Sequence, residues 1–159
     1  MMHRQLKHEK TPNLKCICLL ATGYNIINVS AAKANGIVVC NAVNYSTPSV
    51  AQHVFALLLH LTNHVALHNQ EVHQNGWANR QQWAYWQVPI LELSGKTLGL
   101  YGLGNIGSQV AKIGLAFGMK VIATRKNKHK KTDDNIKLVN VKQLFAESDV
   151  LSLHAPLTI

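Results

Sequence analysis

The sequence predicts an α/β chain built from parallel strand–helix–strand units, and three observations carry that prediction. Residues 97–101 and 119–124 are short apolar runs, and between them Ile106, Val110, Ile113 and Phe117 recur at helical intervals before Gly118. Gly102, Gly104 and Gly107 stand in G-x-G-x-x-G spacing between the first run and the helix. Earlier in the chain, residues 14–21 and 37–40 are apolar runs flanking a short helical patch, a second unit of the same kind.

The glycine spacing has a physical reason. One glycine makes a tight turn, the second lets the backbone approach a pyrophosphate, and the third lets the helix sit close to the strand. The phosphates then rest on N–H groups at the helix N-terminus. G-x-G-x-x-G by itself is weak evidence, but between a strand and a helix, with a strand following, it predicts a Rossmann-type dinucleotide site.

Composition sets the outer bounds. With 159 residues, 47% of them hydrophobic and 14% charged, the chain has room for one ordinary domain or parts of two, and it can bury a core. Cys16, Cys18 and Cys40 are odd in number and lie in apolar strand-like runs, so reduced thiols in a cytoplasmic protein are expected rather than a disulfide framework. Cys16 and Cys18 share one strand face, but C-x-C lacks the further ligands of a zinc site. Residues 1–10 are polar and basic, unlike a signal peptide, and no apolar run reaches the roughly 18 residues of a membrane span. No membrane and no metal are expected.

The net charge of +9 has its densest cluster at residues 125–131, Arg-Lys-Asn-Lys-His-Lys-Lys. A solvated loop, a site for a cofactor 2′-phosphate and a nucleic-acid patch are the three readings. The last is the weakest, since no aromatic stacking residues are interleaved with the charges. Position matters more than charge. NAD-binding folds place an Asp or Glu about 20 residues beyond the first glycine to hold the ribose 2′-OH. Here no carboxylate occurs between Glu92 and Asp133, and the strand ends in Thr124-Arg125-Lys126. A guanidinium there suits a phosphate, so NADP is favoured over NAD.

The remaining elements follow the same logic. Residues 14–21 read as a buried strand leading to the turn at Thr22-Gly23, and Ser30 is the expected N-cap of the short helix. After the break at residues 44–48, one long helix is expected from Ser49 to His73, with Val54, Phe55, Leu58, Leu61 and Val65 on a wide apolar face. His60, His64 and His68 would stack on its other side. A metal stripe there would lack acidic partners before Glu71, and a polar face or a subunit interface accounts for the pattern. Residues 75–88 lose periodicity and hold Trp77, Trp83 and Trp86, the material of a dimer arm, a substrate-side wall or local packing. Residues 136–139 read as a strand, 141–147 as a short helix, and 149–154 as a further buried strand.

Four stretches in order carry a resemblance: Leu20-Ala-Thr-Gly-Tyr-Asn25, Asn44-Tyr-Ser-Thr-Pro-Ser-Val-Ala-Gln-His53, residues 91–107 with the glycine turn, and Ser148-Asp-Val-Leu-Ser-Leu-His-Ala-Pro-Leu-Thr158. Together they resemble the D-isomer-specific 2-hydroxyacid dehydrogenase family. Residues 77–93 are most similar to its glycerate dehydrogenase or hydroxypyruvate reductase branch. The resemblance implies part of a flavodoxin-like substrate domain over residues 1–48, an interdomain and dimerisation segment over 49–93, and an incomplete Rossmann-type domain, a βαβαβ half, over 94–159. It implies substrate-carboxylate binding at Thr22 and Gly23. It also implies cofactor contacts at Gly102, Gly104, Asn105, Ile106 and Gly107, at Arg125 in the place of an Asp, and at Ala155 and Pro156 on the adenosine side. A small 2-hydroxy or 2-keto acid is the implied substrate, and a homodimer through the Ser49 to His73 helix the implied assembly. The family's substrate-polarising Arg and proton-transferring His, oriented by a Glu, match no residue here, and His154 belongs to the cofactor-side motif. The expectation is therefore an internal piece of an enzyme roughly twice as long, with no catalytic residues of its own and no turnover alone. The alternative is a non-catalytic remnant that binds nucleotide or a partner subunit.

Overall fold

Residues 13–126 and 132–155 are described by the computed structural model, and the chain divides into two units between Ser46 and Thr47. Residues 1–12, the basic positions 127–131, and Pro156 with the residues after it lie outside the described residues.

The first unit is β1 (Cys16–Leu19), α1 (Val29–Ala34) and β2 (Val38–Asn41). The two strands pair in parallel from Cys16 opposite Val38 to Leu19 opposite Asn41, as a helical crossover requires. Helix α1 is capped by Asn28, whose side chain accepts a hydrogen bond from the Ala31 N–H at 2.9 Å. That corrects the expected Ser30 cap. Both residue types cap well, and the helix starts early enough to leave Ser30 inside its first turn. The expected buried strand is also corrected, because β1 alternates between exposed and half-buried residues. In a two-stranded sheet, apolar sequence alone cannot bury both faces.

The second unit opens with α2 (Thr47–Asn63) and α3 (Val65–His73). Pro48 falls within the first turn of α2, where its missing N–H costs no helical bond. The single long helix is corrected to two, bent by 57°. His64 between them adopts a left-handed backbone, φ +49°. The Thr62 carbonyl, which a continuous helix would use internally, accepts the Leu91 N–H at 3.0 Å instead. The histidine row is therefore broken at its middle member. No single helix among the described residues is long and apolar enough to cross a membrane, and the bent pair passes that test only jointly.

The aromatic segment is pinned to α3 through Glu71. Its carboxylate accepts from Arg80 Nη2 at 2.6 Å, the Arg80 guanidinium lies 3.9 Å over the Tyr85 ring, and Tyr85 meets Trp77 edge-on at 5.6 Å. Burial pushes the Glu71 carboxyl up, but Arg80, with Tyr85 and Gln87, holds it below the usual carboxylate range. Trp83 remains 91% exposed.

Strands β3 (Thr97–Tyr101), β4 (Lys120–Thr124), β5 (Ile136–Leu138) and β6 (Val150–Leu153) form one parallel sheet in the order β5-β4-β3-β6. Helices α4 (Asn105–Ala116) and α5 (Val141–Glu147) connect them. The bounds of β3 and α5 are those expected. Leu98, Leu100, Val110 and Leu144 are fully buried, each contributing about 1.5–3 kcal/mol. Helix α2 packs on α4, with the Phe55 and Phe117 rings stacked at 5.3 Å. A Cβ at Gly114 would stand 2.6 Å from Leu98 Cδ2, so that glycine lets α4 close on β3. The last strand differs from expectation: β6 alternates half-buried and exposed positions, Leu153 being 67% exposed. It flanks only β3, so burial that depends on a second neighbour is missing among the described residues.

Candidate cofactor-binding site

The sheet order sets β4 on one side of β3 and β6 on the other, so the chain, having run outward from β3 through β4 to β5, crosses back to β6, and open parallel sheets bind ligands outside the carboxyl ends of the strands at such a switch point. Asp149 fixes the two strands' start, its side chain accepting the Thr97 N–H at 2.8 Å while its own N–H donates to Thr97 O at 3.0 Å. At the other end the His154 N–H donates to Tyr101 O at 2.8 Å.

The three glycines of the turn do different work. Gly102 has φ +102°, and a Cβ on it would lie 2.8 Å from the His154 carbonyl oxygen and 2.9 Å from the Ala155 nitrogen. The turn and the exit of β6 thus touch backbone to backbone. Gly107 sits in the first turn of α4, where a Cβ would run into the Gly102 carbonyl, so its absence lets the helix meet the strand. Gly104 is neither crowded nor left-handed. It is the N-cap of α4 with φ −88°, makes no side-chain cap, and a Cβ on it would meet nothing within 4 Å. Nothing among the described residues requires glycine there. The open space lies at a helix N-terminus whose first turn carries no acidic residue, an arrangement that suits an anion. Asn105 begins the helix, and Ile106 packs on the core behind it.

Arg125 follows β4 by one residue. Its guanidinium reaches back across the turn, donating to Leu103 O from Nε at 3.1 Å and from Nη2 at 2.8 Å, while Nη1 donates to Thr132 Oγ1 at 3.0 Å. Positive charge is thereby held at the lip of the glycine turn. Ala155 is exposed beside Gly102, and Pro156 lies outside the described residues. The sequence placed His154, the neighbour of Ala155, in the cofactor-side motif but gave it no partner. The His154 Cβ lies 3.7 Å from where a Cβ on Gly107 would stand, and its ring pairs with Ser152 Oγ at 2.8 Å and is pushed below its ordinary value by burial. Its i, i+2 spacing from Ser152 on a strand end was the available signal.

Thr22 and Gly23 belong to the first unit. Thr22 Oγ1 donates to Ala42 O at 3.1 Å, and Asn41 Nδ2 donates to Thr22 O at 2.9 Å. Among the described residues the Thr22 and Gly23 N–H groups form no hydrogen bond. No group of three His, Cys, Asp or Glu side chains among the described residues is arranged to hold a metal ion.

Residues 55–159 match the family model of the D-isomer specific 2-hydroxyacid dehydrogenase, NAD binding domain. The chain belongs to this family. A hydroxypyruvate reductase of Blautia hydrogenotrophica is 43% identical over 150 residues, covering 94% of this chain and 47% of that protein. An acyclic imino acid reductase (Bsp5), solved in complex with NADPH and D-Arg, is 36% identical at a TM-score of 0.78, over 94% of this chain and 47% of its own. The D-lactate dehydrogenase of Aquifex aeolicus, solved with NAD and lactic acid, is also 36% identical at a TM-score of 0.78, over 95% of this chain and 44% of its own. The chain spans about half the length of the curated relatives it matches.

Proposed function

We propose that this chain supplies the cofactor cradle of an NADP-preferring dehydrogenase that acts on a small D-2-hydroxy or 2-keto acid of the glycerate/hydroxypyruvate or glyoxylate type. The observation that carries the proposal is the Arg125 guanidinium, held on Leu103 O at 2.8 Å and 3.1 Å where an NAD site would place a carboxylate. In this reading the pyrophosphate rests over Gly104 and the N-terminal turn of α4, with Gly102 and Gly107 keeping the backbone close. Asn105 and Ile106 begin that turn. Arg125 pairs with the 2′-phosphate, and Ala155 lines the adenosine side. When bound, the nicotinamide supplies a hydride acceptor or donor. Thr22 and Gly23 offer backbone N–H groups to the substrate carboxylate, held in place by the Asn41 and Ala42 hydrogen bonds.

On this reading residues 13–155 bind and orient rather than protonate. The His154 ring is engaged by Ser152, and no described residue takes the part of the substrate-polarising Arg. Purified chain should therefore bind NADPH without reducing hydroxypyruvate or glyoxylate. Turnover abolished by Gly104→Val would overturn that statement. Self-association through α2 and α3 forms part of the proposal, supported by the exposed Leu57, Leu61, Val65 and Val72 along those helices.

Titration with NADPH and NADH tests the cofactor preference. NADPH should bind more tightly, and Arg125→Asp should reverse the order. Charge-assisted hydrogen bonds contribute about 1.5–3 kcal/mol, so a shift of roughly ten- to a hundredfold in the affinity ratio is expected. Equal affinities in the unaltered chain would refute the 2′-phosphate assignment.

A further inference from the structure

The Arg125 guanidinium is anchored at both ends. Nε and Nη2, which form one edge of the fork, donate to Leu103 O at 3.1 Å and 2.8 Å. Nη1, the nitrogen outside that edge, donates to Thr132 Oγ1 at 3.0 Å. Thr132 is half-buried and lies in the connection from β4 to β5, seven residues beyond Arg125. Those strands pair in parallel, Val121 opposite Ile136 and Ala123 opposite Leu138, so the segment that leaves β4 and the one that enters β5 belong to neighbouring strands. One carbonyl oxygen shared by two N–H groups acts as a hinge about which a planar group still swivels. The contact at Nη1 removes that freedom.

Both anchors are neutral oxygens, a carbonyl and a hydroxyl, so they orient the guanidinium without cancelling its charge. Asp133 follows Thr132 directly and is the first carboxylate after Glu92. Its Oδ1 accepts the N–H and Nδ2 of Asn135, each at 3.0 Å, which ties it into its own turn. The Thr132 contact on Nη1 is made by a hydroxyl, which, unlike a carboxylate, does not compete with an anionic ligand for the same charge.

We propose that Thr132 is a positioning residue for NADP recognition: its hydroxyl holds the Arg125 guanidinium in the plane and place from which it pairs with the cofactor 2′-phosphate. The inference rests on the NADP-preferring function proposed above. Its physical basis is ordering completed before the ligand arrives. An unanchored arginine gives up rotamer freedom when it meets a phosphate, whereas a side chain already fixed at both ends has less to lose. The same guanidinium holds Leu103 O in the glycine turn, so the anchor at Thr132 also keeps the phosphate-pairing group in a constant relation to that turn. NADH carries no 2′-phosphate. Thr132 should therefore matter to NADPH and leave NADH untouched, a division that a residue serving only the fold would not produce.

The full chain and its Thr132→Val, Thr132→Ser and Thr132→Glu variants are titrated with NADPH and with NADH. Valine keeps the shape and removes the acceptor, so NADPH affinity should fall about three- to tenfold, the contribution of one hydrogen bond, while NADH affinity stays the same. Serine keeps the hydroxyl and should restore NADPH binding. Glutamate sets a negative charge against Nη1 and should weaken NADPH more than valine does. In an Arg125→Ala background Thr132→Val should cost nothing further, because the hydroxyl acts through the guanidinium. Equal losses for both cofactors would make Thr132 a part of the fold and overturn the proposal. So would full NADPH affinity in the valine or glutamate variant, failure of serine to restore it, or an undiminished loss in the Arg125→Ala background. The two readings fail separately. A chain that prefers NADPH through Arg125 yet tolerates Thr132→Val refutes the positioning role alone, whereas equal NADPH and NADH affinities in the unaltered chain refute the 2′-phosphate assignment and this inference with it.

Discussion

The glycine turn and the Thr22 loop both follow a parallel strand and both bring backbone N–H groups to the end of it, yet they are held by different forces. The turn is held by backbone contact. Gly102 lies against His154 and Ala155, Gly107 lies against Gly102, and Leu98 and Leu100 behind them are fully buried. The Thr22 loop is held by side-chain hydrogen bonds at 2.9 Å and 3.1 Å on an exposed two-stranded sheet. Steric contact over a packed core tolerates no added atom, whereas a hydrogen-bonded latch loses only what one bond contributes.

The largest effect should come from Gly107→Val. Overpacking costs about 1–3 kcal/mol, and here the opposing atom is a backbone carbonyl that cannot rotate away. The urea midpoint should drop and NADPH binding should vanish; an unchanged midpoint would mean that α4 and the turn have slack. Gly104→Ala separates fold from binding. Since a Cβ there meets nothing within 4 Å and φ is −88°, stability should be kept or slightly raised while NADPH affinity falls at least tenfold. Loss of stability alongside affinity would show that Gly104 serves the turn itself.

A smaller effect is expected at the loop. Thr22→Val removes the hydrogen bond to Ala42 O, costing about 0.5–1.5 kcal/mol, and should speed hydrogen exchange at β1 and β2 while leaving β3 unaffected. Equal acceleration in both sheets would contradict the separate forces described above. The smallest effect is the pH dependence from His154. Burial lowers its folded value from the ordinary 6.5, so the unfolded chain binds this proton more readily. Its contribution to stability is fully present above 6.5 and is lost as pH falls through the lower folded value. Urea midpoints measured on both sides of 6.5 should show that slope flattened in His154→Gln; the same slope in both proteins would assign it elsewhere.

Much of this was legible in local pattern. The apolar run at Thr97, the glycine spacing and the helical period from Ile106 predicted β3, the turn and α4 because each depends on residues a few positions apart. The same holds for the bounds of α5. What failed depended on distant neighbours. His64 is neither Gly nor Pro, so no local signal marked the left-handed break, which accompanies the Leu91 N–H taking the Thr62 carbonyl. The apolar runs of β1 and β6 suggested burial, but burial needs an element on each face, and the strand's own residues do not say what covers it.

The sequence by itself determined the parallel α/β character, the dinucleotide turn, the family motifs and the basic residue standing where a carboxylate is usual. Tertiary structure alone decided that Arg125 closes on Leu103 across 22 positions of chain, that His154 and Ala155 form the opposite wall of the turn, and that Gly104 faces open space. Periodicity and glycine spacing report forces within one element. The meeting of β3 and β6 is set by sheet order, which appears only when strands 52 residues apart, as Thr97 and Asp149 are, pair side by side.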